Sequence, residues 1–493
     1  MGKVRRIIYL IGIVAVLLLA ACNDADTWTT SPTAGFSFSA DTVRFDTIIT
    51  GQSSSTKTLV AFNHGGDGLR RISARLRDGK ESHFRVNVDG QYLYDGAGDD
   101  FEVRGKDSMV VRLEVLLPEV GDTIIRHYED RLIFTLESGV SQEIVLQADG
   151  MDVRILRGKV IEGVETLTKG MPYLVYDSLY VAPGATLFLE PGTRLLFHDN
   201  VSLNVHGSLK AFGTMEEPVV LRGDRMDRMF ANLPYDNTPN RWGGVHFYGE
   251  SCDNMLEHCD IHSGDYGIQC DSTFLPTPFM PILSMWNCVI HNIGGTGLAL
   301  RSTKAEVVGC QISNCLMNCV DILGGDVFML HCTIAQFFSI GAFGQDALYL
   351  ADLDPEGNAV PIRQVGFVNC VITGYADDVI MGHLAPEEDT PCNYLFDHCF
   401  LRTVKSEDTE RFVECVYDDE ELEPSYRDHF VLFNTKDFLY DFSPWSNSAI
   451  CTTGRADYTL EFLPEDRLGR PFPIQGDKSP CGAYAPVPKP EEK

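Results

Sequence analysis

Positive charge is scarce in this chain. Its 493 residues carry 40 Lys and Arg against 70 Asp and Glu, a formal net charge of −30. Such a surface repels nucleic acid and anionic membrane, so polyanions are excluded as preferred ligands unless cations bridge them. No long segment has 3.6-residue periodicity, which leaves little place for helices. The one long apolar run, Ile7–Ala21, has 15 residues, short of the roughly 20 that a membrane span needs. Zinc-type cysteine pairing is also missing. Cys315 and Cys319 form a single close pair with no second pair to complete a site.

What is present is a recurring phrase: a polar or small residue, then Cys, one residue, then Ile or Leu. It reads His258-Cys259-Asp260-Ile261, Asn287-Cys288-Val289-Ile290, Gly309-Cys310-Gln311-Ile312, His331-Cys332-Thr333-Ile334, Asn369-Cys370-Val371-Ile372 and His398-Cys399-Phe400-Leu401. The cysteines are 29, 22, 22, 38 and 29 residues apart. A repeat of this length means a solenoid or array, and Cys and Ile two apart share one side of a strand. Twenty-two residues is too short for two helices with loops, so the phrase predicts a right-handed parallel β-helix, all-β, with Cys259, Cys288, Cys310, Cys332, Cys370 and Cys399 stacked as an interior ladder. Free cysteine packs as a small hydrophobe, which favours reduced thiols there. Cys315 with Cys319, and Cys451 with Cys481, stay open as pairs. His258, His331 and His398 read as an outward polar column.

If 22 residues make a plain coil, three coils carry insertions, placed by turn chemistry at Asp271–Pro281, Gln345–Pro361 and Leu384–Pro391. Each begins about a dozen residues after its cysteine, and equal phase puts all three on one edge. The edge offers Asp271, Asp346, Asp352, Asp354, Glu356, Glu387, Glu388 and Asp389, with Phe274, Phe279 and Tyr349 as sugar-stacking faces. It is a candidate glycan- or cation-binding edge, with Ca²⁺ as the candidate ion and no other cofactor. Tolerated surface loops are the plainer explanation. The segment Asp224–Asn240 is too long for a plain turn and is expected to flank the helix or meet a partner.

The first residues read as a targeting signal: Lys3, Arg5 and Arg6, then the apolar run, then Leu19-Ala20-Ala21-Cys22. That ending resembles the bacterial lipoprotein box, which implies cleavage after residue 21 and lipid on Cys22. An ordinary signal peptide is the alternative. Removal of three positive charges takes the formal charge from −30 to −33. Asn23 points to the outer membrane rather than the inner, and Asp24 and Asp26 resemble the acidic export signal of Bacteroidetes lipoproteins. Residues 22–35 read as a tether.

From 36 to 150 the text is short alternating strands with turn signals, a β-sandwich. Val43-Arg44-Phe45, Lys57–Asn63, Phe84-Arg85-Val86 and Asp107–Leu113 resemble immunoglobulin-like domains of the ASH type, which implies a spacer or docking module. From Tyr173 onward, Pro183-Gly184-Ala185-Thr186-Leu187, Pro191-Gly192-Thr193, Gly207-Ser208-Leu209-Lys210-Ala211 and Trp242-Gly243-Gly244-Val245 resemble the opening coils of pectate-lyase-like β-helix proteins. Ser443-Pro444-Trp445, Asp466–Pro471 and Cys481–Tyr484 resemble their closing segment. The β-helix region is expected over 151–485, with 486–493 as a tail. The whole order resembles β-helix lipoproteins of Bacteroidetes, a resemblance that implies a fold and an outer-membrane address without an activity.

Catalytic signals are thin. Asp377-Asp378 followed by Gly382-His383 resembles the paired Asp and Gly-His of polygalacturonase-like hydrolases, but the companion Asn-x-Asp and Arg-x-Lys phrases are not in place. The expected role is therefore non-catalytic, either structural or the binding of a glycan or envelope protein from a lipid-anchored position. The alternative is a polysaccharide lyase or glycoside hydrolase.

Overall fold

A computed structural model describes residues 26–230, 232–272, 281–338, 346–384, 391–419, 422, 424 and 426–490. The signal region and Cys22 lie outside the described residues, as do Phe274, Phe279, Glu387, Glu388 and Asp389. Among the described residues no helix is long and apolar enough to cross a membrane. The chain divides into two compact units, residues 1–152 and 153–493.

The first unit is a sandwich of two five-stranded sheets. One orders Ser37–Phe38, Lys57–Phe62, Ser108–Val115, Phe84–Val88 and Gln91–Tyr92; the other orders Thr42–Ile49, Ser141–Met151, Arg126–Thr135, Leu69–Leu76 and Ala97–Val103. The strands alternate, as in Ser108–Val115, where every second side chain from Met109 onward is buried. Phe45, Ile72, Val111 and Phe134 fill the space between the sheets.

The second unit is the right-handed parallel β-helix that the cysteine phrase predicts. Each coil has three strands, one per face. Face 1 is a ten-stranded sheet running from Val164–Leu167 through Asn254–Glu257, Leu283–Trp286, Lys304–Val308, Gly325–Leu330, Ile362–Val368 and Cys392–Asp397 to Phe412–Val413. Face 2 holds the strands that follow each cysteine, among them Cys259–His262, Val289–Ile293, Gln311–Cys315, Thr333–Gln336, Val371–Gly374 and Phe400–Leu401. Face 3 holds Gly244–Phe247, Ile268–Cys270, Leu298–Arg301, Val320–Leu323, Leu348–Ala351 and Ile380–His383. All of these pairings are parallel, coil to coil.

The phrase encodes the corner between faces 1 and 2. Its first residue turns the chain with a left-handed backbone: φ is 45° at His258, 55° at Asn287, 64° at Gly309, 49° at His331, 52° at Asn369 and 53° at His398. Gly, Asn and His tolerate that region better than branched residues. The cysteine then points inward, and all six ladder cysteines are buried free thiols. The thiols of Cys288, Cys332, Cys370 and Cys399 each donate to a face-1 carbonyl of the preceding coil, at 3.3–3.5 Å. Cys315, Cys319, Cys451 and Cys481 are free thiols as well.

Two expectations need correction. The histidines do not form an outward column: His331 is fully buried, and His258 and His398 are only partly exposed. The polar residue was needed for the turn, and the C-terminal segment then covers the middle of that row. Nor is Gln345–Pro361 one insertion. Leu348–Ala351 inside it is a regular strand of face 3, so the extra residues divide between the corners on either side. The Asp, Gly and Pro of 352–361 marked only the second corner.

After its last coil the chain does not stop at the end of the stack. Residues 426–487 run back along the outer side of faces 1 and 2. Phe430, Phe442, Ile450 and Tyr484 pack on Ala335, Phe337, Val371 and Phe400. Leu463 and Phe472 pack on Val308, Leu330 and Val368. Backbone bonds from Gly482 to Asn369 (2.8 Å) and from Ala483 to Thr333 Oγ1 (3.0 Å) fix this strap to successive coils.

Candidate functional site

One outward column of face 2 organises the polar chemistry. It consists of the residue three after each phrase cysteine: His262, His291, Ser313, Ala335 and Thr373 in direct register. It continues to Arg402 and Asp418, one residue beyond the last paired strands. The strap covers the middle members, which are small and buried. Both ends are polar.

At the first end, Asp260 and His262 leave the strand Cys259–His262 on its outer side, and His291 lies on the next coil. The imidazoles of His262 and His291 stack at 4.8 Å with 27° between their planes, the separation of neighbouring strands. Asp260 Oδ1 lies 3.0 Å from His262 Nδ1 and 3.2 Å from His291 Nε2. Asp236, delivered by the 224–240 segment, stands 3.7 Å from His262 Nε2 and pairs with Arg222. Burial alone would raise the Asp260 carboxyl, but the two imidazoles outweigh it and hold it well below the usual carboxylate range. Burial would lower His262, but Asp260 and Asp236 push it up to about 9. Trp242 fixes this corner. It is fully buried, stacks on Phe197 at 4.4 Å and donates from Nε1 to the His262 carbonyl at 2.8 Å.

At the other end is a cleft of about 420 Å³ lined by Asp377, Arg402, Thr403, Lys405, Tyr417, Asp418, Asp419 and Tyr426, among others. Arg402 bridges Asp377 Oδ1 at 2.8 Å and Asp418 Oδ2 at 3.2 Å. Its guanidinium lies 4.4 Å from the Tyr426 ring centre. Burial alone would raise the Asp418 carboxyl, but His429, the Tyr426 amide and Arg402 hold it below the usual range.

The sequence-predicted residues are scattered relative to these ends. Asp377 lies in the cleft, fully exposed at its side chain. Asp378 accepts from Thr403 Oγ1 at 2.6 Å. His383 ends a face-3 strand and accepts from the Asp352 amide through its backbone carbonyl, at 3.2 Å. Of the acidic edge, Asp271 pairs with His246 at 2.9 Å, Asp352 is buried, and Asp354 closes its own turn by binding the Asn358 amide at 2.7 Å. Glu356 is exposed. Tyr349 is on the outer side of face 3, between Asp321 and Met381 by register. Asp346 stands just ahead of that strand, its carboxyl raised by burial and by the charge of Asp378. Asp271, Asp352, Asp354 and Glu356 thus all follow a face-3 strand, at the corner between faces 3 and 1, whereas Asp346 precedes such a strand and Tyr349 lies within it.

Sequence reasoning missed Arg222, Asp236, Asp260, His262, His291, Arg402 and Asp418. A signal was there: Cys259-Asp-Ile-His262 and Cys288-Val-Ile-His291 repeat a histidine three residues after the cysteine.

No protein-family description matches the chain, and no curated protein does. Solved structures give faint likenesses. A family 123 glycoside hydrolase from Clostridium perfringens, described for glycolipid glycan hydrolysis, is 7% identical over 27% of this chain, with a TM-score of 0.20. This chain spans 31% of that hydrolase. The ASH / PapD-like domain 7 of human CEP192 is 12% identical over 26% of this chain and 94% of its own, with a TM-score of 0.18. The CooA pilin subunit from enterotoxigenic Escherichia coli is 10% identical over 24% and 97%, with a TM-score of 0.17. At these scores the likenesses carry no argument about this chain.

Proposed function

We propose that the chain is a cell-envelope lipoprotein, anchored through Cys22 to the outer membrane, whose β-helix binds a glycan without turning it over. The Bacteroidetes-type resemblance of the lipobox, sandwich and helix order is part of this reading. The observation that carries it is the cleft at Arg402. Carboxylates, two cations and the Tyr417 and Tyr426 rings converge there, the mixture of hydrogen-bonding groups and aromatic walls that suits a hydroxyl-rich ligand. Arg402 is held in place by two carboxylates and a ring, so it is preorganised for recognition. A general acid needs a raised pKa, and Asp418, the buried carboxylate of the cleft, is shifted the other way.

The test uses soluble protein, residues 23–493, against plant, host and bacterial polysaccharides, with binding, new reducing ends and uronate absorbance all recorded. Expected is binding to one glycan class without turnover, weakened about tenfold or more by Lys405→Ala or Arg402→Gln. Turnover of any substrate overturns the non-catalytic reading.

One observation favours the enzymatic alternative. Asp346 is held toward its protonated form by burial and by Asp378, as an acid of a carboxylate pair would be. If turnover is found, Asp346→Asn and Asp378→Asn should each abolish it.

A further inference from the structure

We propose that Asp260, His262 and His291 form a binding site for a divalent transition-metal ion of the zinc class. The three donor atoms all lie within 4.8 Å of one another. Asp260 Oδ1 is 3.0 and 3.2 Å from the two imidazole nitrogens. In a tetrahedral site with bonds of about 2.0–2.1 Å, neighbouring ligand atoms are about 3.4 Å apart, so modest shifts of the carboxylate and of the two rings, whose nitrogens lie within 4.8 Å of each other, admit an ion.

The donor set selects the ion. Two imidazoles and one carboxylate suit zinc and its transition-metal neighbours, whereas calcium and magnesium take oxygen ligands. Three protein ligands leave one position for water or a ligand oxygen.

The surroundings are built for ligation. The imidazoles come from adjacent strands in register, so the fold sets their spacing. His262 is only 6% exposed, and its Nε2 is buried. That nitrogen faces Asp236 at 3.7 Å, and Arg222 holds Asp236. A carboxylate behind a histidine is the usual outer partner that orients a metal-binding ring. Entry is open, since the side chains of His291 and Asp260 are 24% and 36% exposed. The site stands apart from the Arg402 cleft, so its test is independent of glycan binding.

The experiment takes residues 23–493, strips the protein with chelator, and titrates Co²⁺ by visible absorption and Zn²⁺ by calorimetry. One tight equivalent is expected, with a low-symmetry Co²⁺ band that Zn²⁺ displaces. His291→Gln and Asp260→Asn should each weaken binding at least a hundredfold. Asp236→Asn should weaken it about 10–100-fold with the stoichiometry kept. His206→Gln, in another surface histidine–carboxylate pair, should change nothing. Melting in chelator confirms that each variant is folded, and His291, being partly exposed, is the substitution the fold tolerates best. No saturable uptake, or uptake unchanged in folded His291→Gln and Asp260→Asn, would overturn the proposal and leave the three groups a hydrogen-bonded cluster only.

Discussion

The ladder cysteine is the smallest unit in which sequence, packing and chemistry meet. Its position is imposed by the left-handed residue before it, which swings the chain from face 1 to face 2 and leaves the next side chain pointing inward. At that depth a thiol does two jobs. It fills the volume of a small hydrophobe, and it gives a weak donor to a carbonyl of the coil before, as Cys332 does to Val307 at 3.3 Å. Burial pushes the thiols of Cys259, Cys310, Cys332 and Cys399 up, and the thiolate is the reactive form. These four should therefore be inert in the folded protein, and Cys288 and Cys370 are shielded by the same complete burial. With a thiol reagent and peptide mapping, Cys252, which is exposed, should label first, and the ladder cysteines only in denaturant. Rapid native labelling of Cys310 or Cys332 would mean that the coil stack opens far more readily than its packing implies. The inward sense of this ladder was readable from Cys and Ile two apart. The role of the residue before each cysteine was not, because a polar residue on a strand reads as outward until its backbone angle is known.

The strap is the element that most changes the picture drawn from sequence. Ser443–Trp445, Asp466–Pro471 and Cys481–Tyr484 read as a closing segment, yet residues 426–487 line the side of the stack and bury its middle. The contact is centred on His331. Its Nε2 lies 2.8 Å from Thr459 Oγ1, its Nδ1 lies 3.3 Å from the Gly482 carbonyl, and its ring stacks on Phe472 at 4.7 Å. Asn369 on the next coil adds bonds to the Arg455 backbone at 2.8 and 2.9 Å. Thr459, Asn369, the Gly482 carbonyl and Phe472 carry no charge, and burial pushes His331 down to about 3. The unfolded chain takes up this proton near pH 6.5. Stability from the neutral ring is thus complete above that pH and is drawn down as pH falls from about 6.5 toward 3, by up to about 4 kcal/mol. His331→Asn keeps a residue that accepts the left-handed corner and removes the titration. Urea unfolding of both proteins across this range should show a steeper acid loss in the wild type; equal slopes would refute the link. The strap also explains why the polar column was hard to find. His262, His291, Arg402 and Asp418 share one phase of the repeat, but Ser313, Ala335 and Thr373 interrupt it, and only the strap explains why those positions are small and apolar-facing. Asp236 was beyond reach of any periodicity argument, because a 17-residue excursion from the coil delivers it.

At the scale of the whole molecule the β-helix was legible because a solenoid repeats its error-correcting information: six copies of one phrase fix period, inward face and strand direction together. The corner of the insertions was legible, since 271–281, 352–361 and 384–391 each link a face-3 strand to a face-1 strand, but the spacing between cysteines did not show that Leu348–Ala351 is itself a strand. Tyr349 shows the consequence, a strand residue assigned to a loop. Among the described residues no helix is long and apolar enough to cross a membrane, and the proposed anchor lies in the first 22 residues. An apolar run of 15 residues ending in Leu19-Ala20-Ala21-Cys22 suits processing and lipidation rather than spanning. A single acyl chain gives only marginal membrane binding, so stable anchoring needs more than one. Expressed in a Gram-negative host, the full chain should be recovered in the outer-membrane fraction, and its first residue should be Cys22 carrying a diacylglycerol on sulfur and a further acyl group on the amine. Cys22→Ala should leave the apolar leader uncleaved or release the chain from the outer membrane, with unchanged β-sheet content in the purified protein, since the first described strand, Ser37–Phe38, begins beyond it. Recovery of a mature N-terminus elsewhere, with Cys22 removed or present as a free thiol, would replace the proposed anchor with ordinary secretion.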